Sequence, residues 1–564
     1  MKYFAKILFL LTALVLGSCA DLDIDPTSSS ASGNFYSNQK ELEIAVNDLY
    51  QEFLFKLDLD EWGDDHWIRG QLTNPITNST LNSQTDFIAQ YWADLYKGIS
   101  RATTLLENMQ QAEDRVPEAV YNRIEAEARF VRAYCYSILI SHFGDVVFYG
   151  ETVALSESYD LPRTDKKTIL DFIFKELDAA AQVLPQSYSA SEIRRVTKST
   201  ALGIKARIAL YMGDYATARD AAKAVIDLKI HSLFPNYRTL FTKEGENSSE
   251  IIFSLPQSIS LGNVYEPTAN VRNYISRNSG GFGAWIPTWS MLDIYECTDG
   301  QTIDKSPLYD PHQPFKNRDP RMAMSIVELG SSWLGFTYQP HPDSVKVYSS
   351  KLGTRVNNND TRSIAQFASY TGFIWKKRID QSWADLQMAE NPIIVLRYAD
   401  ILLMYAEAKI ELNEIDQSVL DALNTIRARA YGKTSPTEAG YPKITTTDQA
   451  ALRNALRRER RVELVLEGLR YMDLIRWKLA DKALNTDVPG LNDPTKQDRK
   501  QWPFTNTLLP RIDENGLVFH DHIIQAGFAR KIAGYQFDAS KQYLWPIPAS
   551  ERLLNPNLTQ NPGY

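Results

Sequence analysis

Ala209-Leu210-Tyr211-Met212-Gly213-Asp214-Tyr215, continued by Ala218, Ala221, Ala222 and Val225, is the stretch that decides the fold. Its small residues fall where two helices cross closely, with Gly213-Asp214-Tyr215 as the turn between them, the pattern of a tetratricopeptide-type helix pair. Such a pair cannot bury its apolar face alone, so pairs must stack. A second copy is expected over residues 405–430, with Ala406, Ala408, Leu412, Leu420, Leu423 and Ile426 on its apolar side. Upstream, helical periodicity predicts helices over 40–57, 86–109, 118–143 (ending at Gly144), 169–184 and 198–212. Between 234 and 390 the pattern breaks into Gly, Pro and Asn with short β-prone runs such as Ile251-Ile252-Phe253-Ser254. Helical character returns over 391–412 and 452–483. The expected fold is mainly α: a tetratricopeptide-type helical-repeat scaffold (34–233 and 391–484) carrying a large irregular, loop-rich lobe (234–390) and a few short strands. An irregular C-terminal segment (485–564) includes a strand-like Tyr543-Leu544-Trp545.

Lys2 and Lys6 precede an apolar run from Ile7 to Leu16, and Leu16-Gly17-Ser18-Cys19 follows the bacterial lipoprotein pattern. Residues 1–18 therefore read as a lipoprotein signal peptide and Cys19 as the lipidated residue. Residues 19–33 read as a flexible tether, about fourteen residues past the cysteine spanning roughly 45 Å when extended. Two or more acyl chains hold a protein on a membrane where one does not. Beyond the leader no apolar run reaches the length of a bilayer span; the best, Ile401 to Ala406, is flanked by charge. A net charge of −8 gives no basic footprint for nucleic acid. Arg457, Arg458, Arg460 and Arg461 alternate with Glu459, Glu463 and Glu467, so they read as a paired, solvated helix face. Cys135 and Cys297 leave room for one disulfide and no framework.

In this order along the chain, a set of motifs resembles the SusD/RagB nutrient-binding outer-membrane lipoproteins of Bacteroidetes. They are Glu125-Ala126-Glu127-Ala128-Arg129-Phe130-Val131-Arg132-Ala133-Tyr134 with Phe143-Gly144-Asp145-Val146, then Arg318-Asp319-Pro320-Arg321 and Leu396-Arg397-Tyr398-Ala399-Asp400-Ile401-Leu402-Leu403. Glu459-Arg460-Arg461-Val462-Glu463-Leu464, Glu467-Gly468-Leu469-Arg470, Asp473-Leu474-Ile475-Arg476-Trp477, Leu544-Trp545-Pro546-Ile547-Pro548 and the closing residues 555–564 complete the set. The resemblance implies that the irregular lobe forms most of the ligand face. It also implies a surface lid on a SusC-type TonB-dependent outer-membrane transporter, capturing oligosaccharides for import. The family includes peptide-associated members, so a peptide ligand stays open. In related lipoproteins an acidic start such as Asp21, Asp23 and Asp25 is similar to a surface-export signal. The shared motifs themselves read as structural, with ion pairs such as Arg397–Asp400 and Glu467–Arg470 stitching helices.

A sugar ring stacks its C–H face on Trp or Tyr and directs its hydroxyls to Asp, Asn, Arg and backbone groups. Residues 60–67, Asp60-Glu61-Trp62-Gly63-Asp64-Asp65-His66-Trp67, join two helices without a helical period and offer Trp67 and Asp65 as ligand residues, with Trp62 behind them. Gly280-Gly281-Phe282-Gly283 lets the backbone bend before Trp285, a third candidate, whereas Trp289 and Tyr295 read as core. Ser331-Ser332-Trp333-Leu334-Gly335 presents Trp333 as a fourth, and Lys376-Lys377-Arg378 reads as a solvated run. Catalysis has little support: no metalloprotease motif, nucleophile elbow or phosphate loop is present, and His520 with His522 is a weak metal hint. Adjacent Asp64 and Asp65 do not establish the opposed acid and base of a glycosidase. No enzyme, cofactor or metal site is expected. A surface glycoside hydrolase and a scaffold for envelope proteins are the competing readings.

Overall fold

The computed structural model describes residues 35–70, 74–189, 192, 194–264, 268–492 and 508–564; the signal peptide, Cys19 and the tether lie outside them. The scaffold opens with α1 (Gln39–Asp48), α2 (Asp86–Asn108), α3 (Glu118–Phe143), α4 (Lys166–Val183), α5 (Lys198–Met212) and α6 (Tyr215–Asp227). It resumes with α7 (Tyr398–Glu411), α8 (Gln417–Ala430), α9 (Gln449–Glu463) and α10 (Arg470–Arg476). Each of α2 to α6 packs on the next, and α6 packs directly on α7 although residues 228–397 intervene; α7 then packs on α8 and α9. The stack is thus continuous in space and interrupted in sequence, as repeat pairs that share one core require.

Local chemistry sets the turns. Gly213 adopts φ 80°, open to glycine at little cost, and closes α5, while the Asp214 side chain accepts the Thr217 N–H to start α6. Thr197 and Thr200 form a reciprocal cap at the start of α5. At the crossing with α7, a Cβ on Gly203 would lie 2.4 Å from Leu396 Cδ2 and 2.9 Å from Ile401 Cδ1, so hydrogen alone fits.

The lobe leaves the scaffold through β2 (Ile251–Leu255) and returns through β8 (Ile393–Arg397), which pair antiparallel. Between them lie β3 (Trp285–Pro287), which pairs with β1 (His66–Ile68), and a four-stranded antiparallel sheet of β4 (Ser332–Trp333), β5 (Phe336–Thr337), β6 (Lys346–Ser349) and β7 (Thr354–Asn357). One apolar core runs through the scaffold; a second, around Trp289, Tyr295, Trp375 and Trp383, fills the lobe.

Four expectations of secondary structure need correction. The helix expected over 40–57 stops at Asp48, because Leu54 and Phe55 turn into the core and the Tyr50 hydroxyl donates to buried Glu127 at 2.6 Å. Helix does not begin at 391, since the β-branched run Ile393-Ile394-Val395 is a strand and α7 starts at Tyr398. The helix expected over 452–483 breaks after Glu463 at Leu466 and Gly468, both at positive φ. Residues 543–545 form no strand; Trp545 is buried and donates its Nε1 to the Tyr471 hydroxyl at 2.9 Å.

The arginine–glutamate run of α9 is not a solvated face. Glu459, Arg460, Arg461 and Glu463 are buried. Arg321 of the lobe reaches Asp319 (2.6 Å), Glu459 (2.6 Å) and Glu463 (3.0 Å), while Arg397 holds Glu250 (2.8 Å), Glu463 (2.7 Å) and Glu467 (2.7 Å). Arg397 therefore does not pair with Asp400, which takes Arg207 and Arg460 at 2.7 Å each, and Arg470 pairs with Asp64 rather than Glu467. The stitching role stands, with different partners. Against the raising effect of burial, Arg429, Arg397 and Arg321 hold the Glu463 carboxyl well below the usual range. Cys135 and Cys297 are both free and buried.

Candidate functional site

Between α1 and α2, residues 51–61 form one wall of a cleft of about 650 Å³ that residues of both scaffold and lobe line. Phe53, Phe55, Lys56, Asp60 and Glu61 come from this wall; Tyr274, Trp285 and Arg378 of the lobe and Phe241, from the segment ahead of β2, line it too, as do His66, Glu467 and Gly468. The volume lies in the range of small-molecule sites, and the mixture of aromatic rings with carboxylates and cations suits a ligand that is both ring-faced and hydroxyl-rich.

The β1–β3 ladder sets the lobe side: Ile68 pairs with Trp285 and His66 with Pro287. Trp285 is half-buried and meets the edge of Tyr274 at 5.0 Å, near perpendicular, so Tyr274 fixes its tilt. Trp375 Nε1 donates to His66 Nδ1 at 3.0 Å and the two rings are parallel at 6.0 Å. Burial pushes the imidazole down to about 3, so His66 is neutral and carries its proton on Nε2. Asp60 goes the other way: burial raises its carboxyl to about 6, against the lowering pull of Arg378 and the Gly468 N–H, which donates to it at 3.3 Å. Lys377 is no solvated cation; its ammonium is buried on Glu467 at 2.6 Å and lowered to about 8 by desolvation. Arg378 lines the cleft.

The four residues singled out in the sequence fall in four places. Trp285 lines the cleft. Trp67, 7% exposed, is on the other face of β1 with Tyr370 laid over it at 5.9 Å. Asp65 is buried, 2.6 Å from Arg461, beside Asp64, which takes Arg461 and Arg470. Trp333 is half-buried between Arg238 and Lys376, whose charged groups lie 5.5 and 5.8 Å from its ring. Trp62 belongs to an aromatic cluster with Phe87, Tyr91 and Trp545. Sequence reasoning missed Tyr274, Phe53 and Asp60 as cleft residues and placed Arg378 in a solvated run; Asp60 and His66 sat inside the flagged stretch, but which residues face the cleft depends on β3, far away in sequence. His520 pairs with Asp293 at 2.8 Å and His522 bonds the Leu509 carbonyl, so they do not converge. Among the described residues no group of three or more His, Cys, Asp or Glu could hold a metal ion, and no helix is long and apolar enough to cross a membrane.

A family model described as the SusD family matches residues 249–564, and one described as starch-binding associating with outer membrane matches residues 34–210. The chain belongs to the SusD family. The SusD-like protein P25 of Formosa agariphila is 28% identical over 82% of this chain and 87% of its own length. The crystal structure of a SusD-like carbohydrate binding protein from Bacteroides fragilis superposes with a TM-score of 0.76 at 28% identity, covering 93% of this chain and all of that one (100%). A laminarin binding SusD-like protein shares the fold at a TM-score of 0.64 and 20% identity, over 94% of this chain and 100% of its own.

Proposed function

We propose that this protein is a cell-surface glycan-binding lipoprotein, anchored to the outer membrane through Cys19, that captures oligosaccharide in the seam cleft and delivers it to a SusC-type TonB-dependent transporter. The observation that carries the reading is the cleft itself: Trp285, set by Tyr274, offers a ring platform, and Asp60, Glu61, Lys56 and Arg378 offer hydroxyl partners around it. Family membership and relatives named for carbohydrate and laminarin binding support the same class of ligand. Trp67 and Asp65 act in this reading from behind the site: Trp67 backs β1, and Asp65 with Arg461 ties the 60–67 segment to α9.

Binding without turnover is part of the proposal. Asp64 and Asp65 are committed to arginines, which leaves them unsuited to opposed acid and base roles. Affinity electrophoresis of the purified protein against a panel of polysaccharides, with product analysis of the same mixtures, tests it. Retardation by at least one polysaccharide with no shortened product is expected; release of oligosaccharides would turn the reading to a glycoside hydrolase, and no retardation by any would overturn it.

A further inference from the structure

The two faces of β1 have different neighbours. His66 lines the cleft, whereas Trp67 and Arg69 turn to the opposite side, as alternation along a strand requires. There the ring of Tyr370, lying over Trp67, is surrounded by guanidinium groups: Arg530 at 4.6 Å, Arg362 at 4.9 Å and Arg69 at 5.9 Å from its centroid. Arg277 joins them through the carbonyl of Phe367, to which both Arg69 and Arg277 donate, the latter at 3.3 Å. The Phe367 side chain is 51% exposed, so the cluster opens to solvent.

This grouping is unlike the other arginine clusters of the molecule. Arg321, Arg397, Arg427 and Arg460 each sit on carboxylates, but among the described residues Arg69, Arg277 and Arg530 have no carboxylate within ion-pair reach. Asp360 accepts the backbone N–H groups of Arg277 (2.7 Å) and Asn278 (3.4 Å), and Lys531 takes Asp487. Arg69 is lowered by burial and by the like charge of Arg277. Nε of Arg530 is buried and has no acceptor among the described residues. The aromatic faces and carbonyls that hold these cations in place orient them without neutralising them. In a chain of net charge −8, that leaves a local island of positive charge, which governs attraction within about 8–10 Å whatever the overall sign.

We propose that the cluster of Arg69, Arg277 and Arg530 around Tyr370 binds the carboxylate or sulfate groups of an anionic glycan, as a second contact point for a polymer held by the cleft. Planar guanidinium forks match both oxyanions, and Tyr370 supplies a surface for the sugar that bears them. The inference rests on the glycan-capture reading and narrows its ligand to acidic polymers. Its test is calorimetric titration of the purified chain with polygalacturonate, a sulfated galactan and neutral laminarin, at 0.05 and 0.2 M salt. At least one of the two acidic polymers should bind, with affinity falling as salt rises, and the arm that binds separates carboxylate from sulfate recognition. The double variant Arg277→Gln/Arg530→Gln should lose about tenfold or more for that polymer, the Arg277→Lys/Arg530→Lys pair should lose less, and melting temperatures should match. Binding of laminarin alone, salt-independent binding, or an unchanged double variant would overturn the anionic-glycan inference while leaving glycan capture standing. No binding of any of the three polymers, nor of any neutral glycan in the wider panel, would remove both.

Discussion

Trp375 and Trp285 are the same side chain in two situations. Trp375 is fully buried with its Nε1 on His66, and truncating such a ring costs about 3–5 kcal/mol. Trp285 is half-buried, with Tyr274 against its edge and part of its surface in the cleft. Glycine-rich flanks made Trp285 legible as an accessible residue, because they mark a bent backbone, and it does line the cleft. The same kind of polar, aromatic stretch around 60–67 gave no such separation: Asp65 finds its partner Arg461 across 396 residues, a contact that local spacing cannot encode. Asp60 gives the residue-scale prediction. Its folded value near 6 lies above the ordinary 3.8, so the folded state binds its proton more tightly than the unfolded chain does, and its ionisation destabilises the fold. Its contribution to stability therefore falls as pH rises from about 4 to 6 and stays low above that. Thermal melts of Asp60→Asn should show the variant gaining on wild type at pH 7.5 relative to pH 4.5; a constant difference at both pH values would contradict the assignment.

At the scale of elements, the helices were legible because each repeats its apolar residues at three- and four-residue steps, and the observed bounds of α2, α3 and α5 fall within a residue or two of those expected. The strand β8 was not, since an apolar run of four residues ahead of a helix fits either element, and its partner β2 lies across the whole lobe. The burial of Glu459, Arg460 and Glu463 was hidden for a related reason: four-residue charge spacing describes a solvated face equally well until Arg321 and Arg397 arrive from elsewhere. Gly203 tests the helix crossing. Gly→Ala inside an exposed helix gains about 1 kcal/mol from propensity, but here the added methyl meets Leu396 and Ile401, both buried. Gly203→Ala should lower stability by about 1–3 kcal/mol in urea unfolding; a stabilised variant would mean that the crossing has slack.

Across the whole molecule, the lobe is tied to the scaffold both through the chain and by buried charge. The lobe enters and leaves through the β2–β8 pair, and its Arg321 and Lys377 are buried against carboxylates of the scaffold, where removal of one partner leaves a charge stranded at about 3–5 kcal/mol. That continuity is what holds the two walls of the cleft at fixed separation, residues 51–61 on one side and Tyr274 and Trp285 on the other. The break in helical pattern that marks the irregular lobe was legible; the position of the cleft at its seam was not, because the seam is made by long-range packing. The central claim is that this cleft binds glycan through the Trp285 platform. Its most direct measurement is calorimetric titration of wild type and Trp285→Ala with a polysaccharide that retards the wild-type protein. Binding at millimolar to micromolar affinity, about 4–8 kcal/mol, that weakens at least about tenfold in a variant still melting cooperatively near the wild-type temperature is the predicted result. Equal affinity in the two proteins would contradict it and move the glycan site away from the cleft.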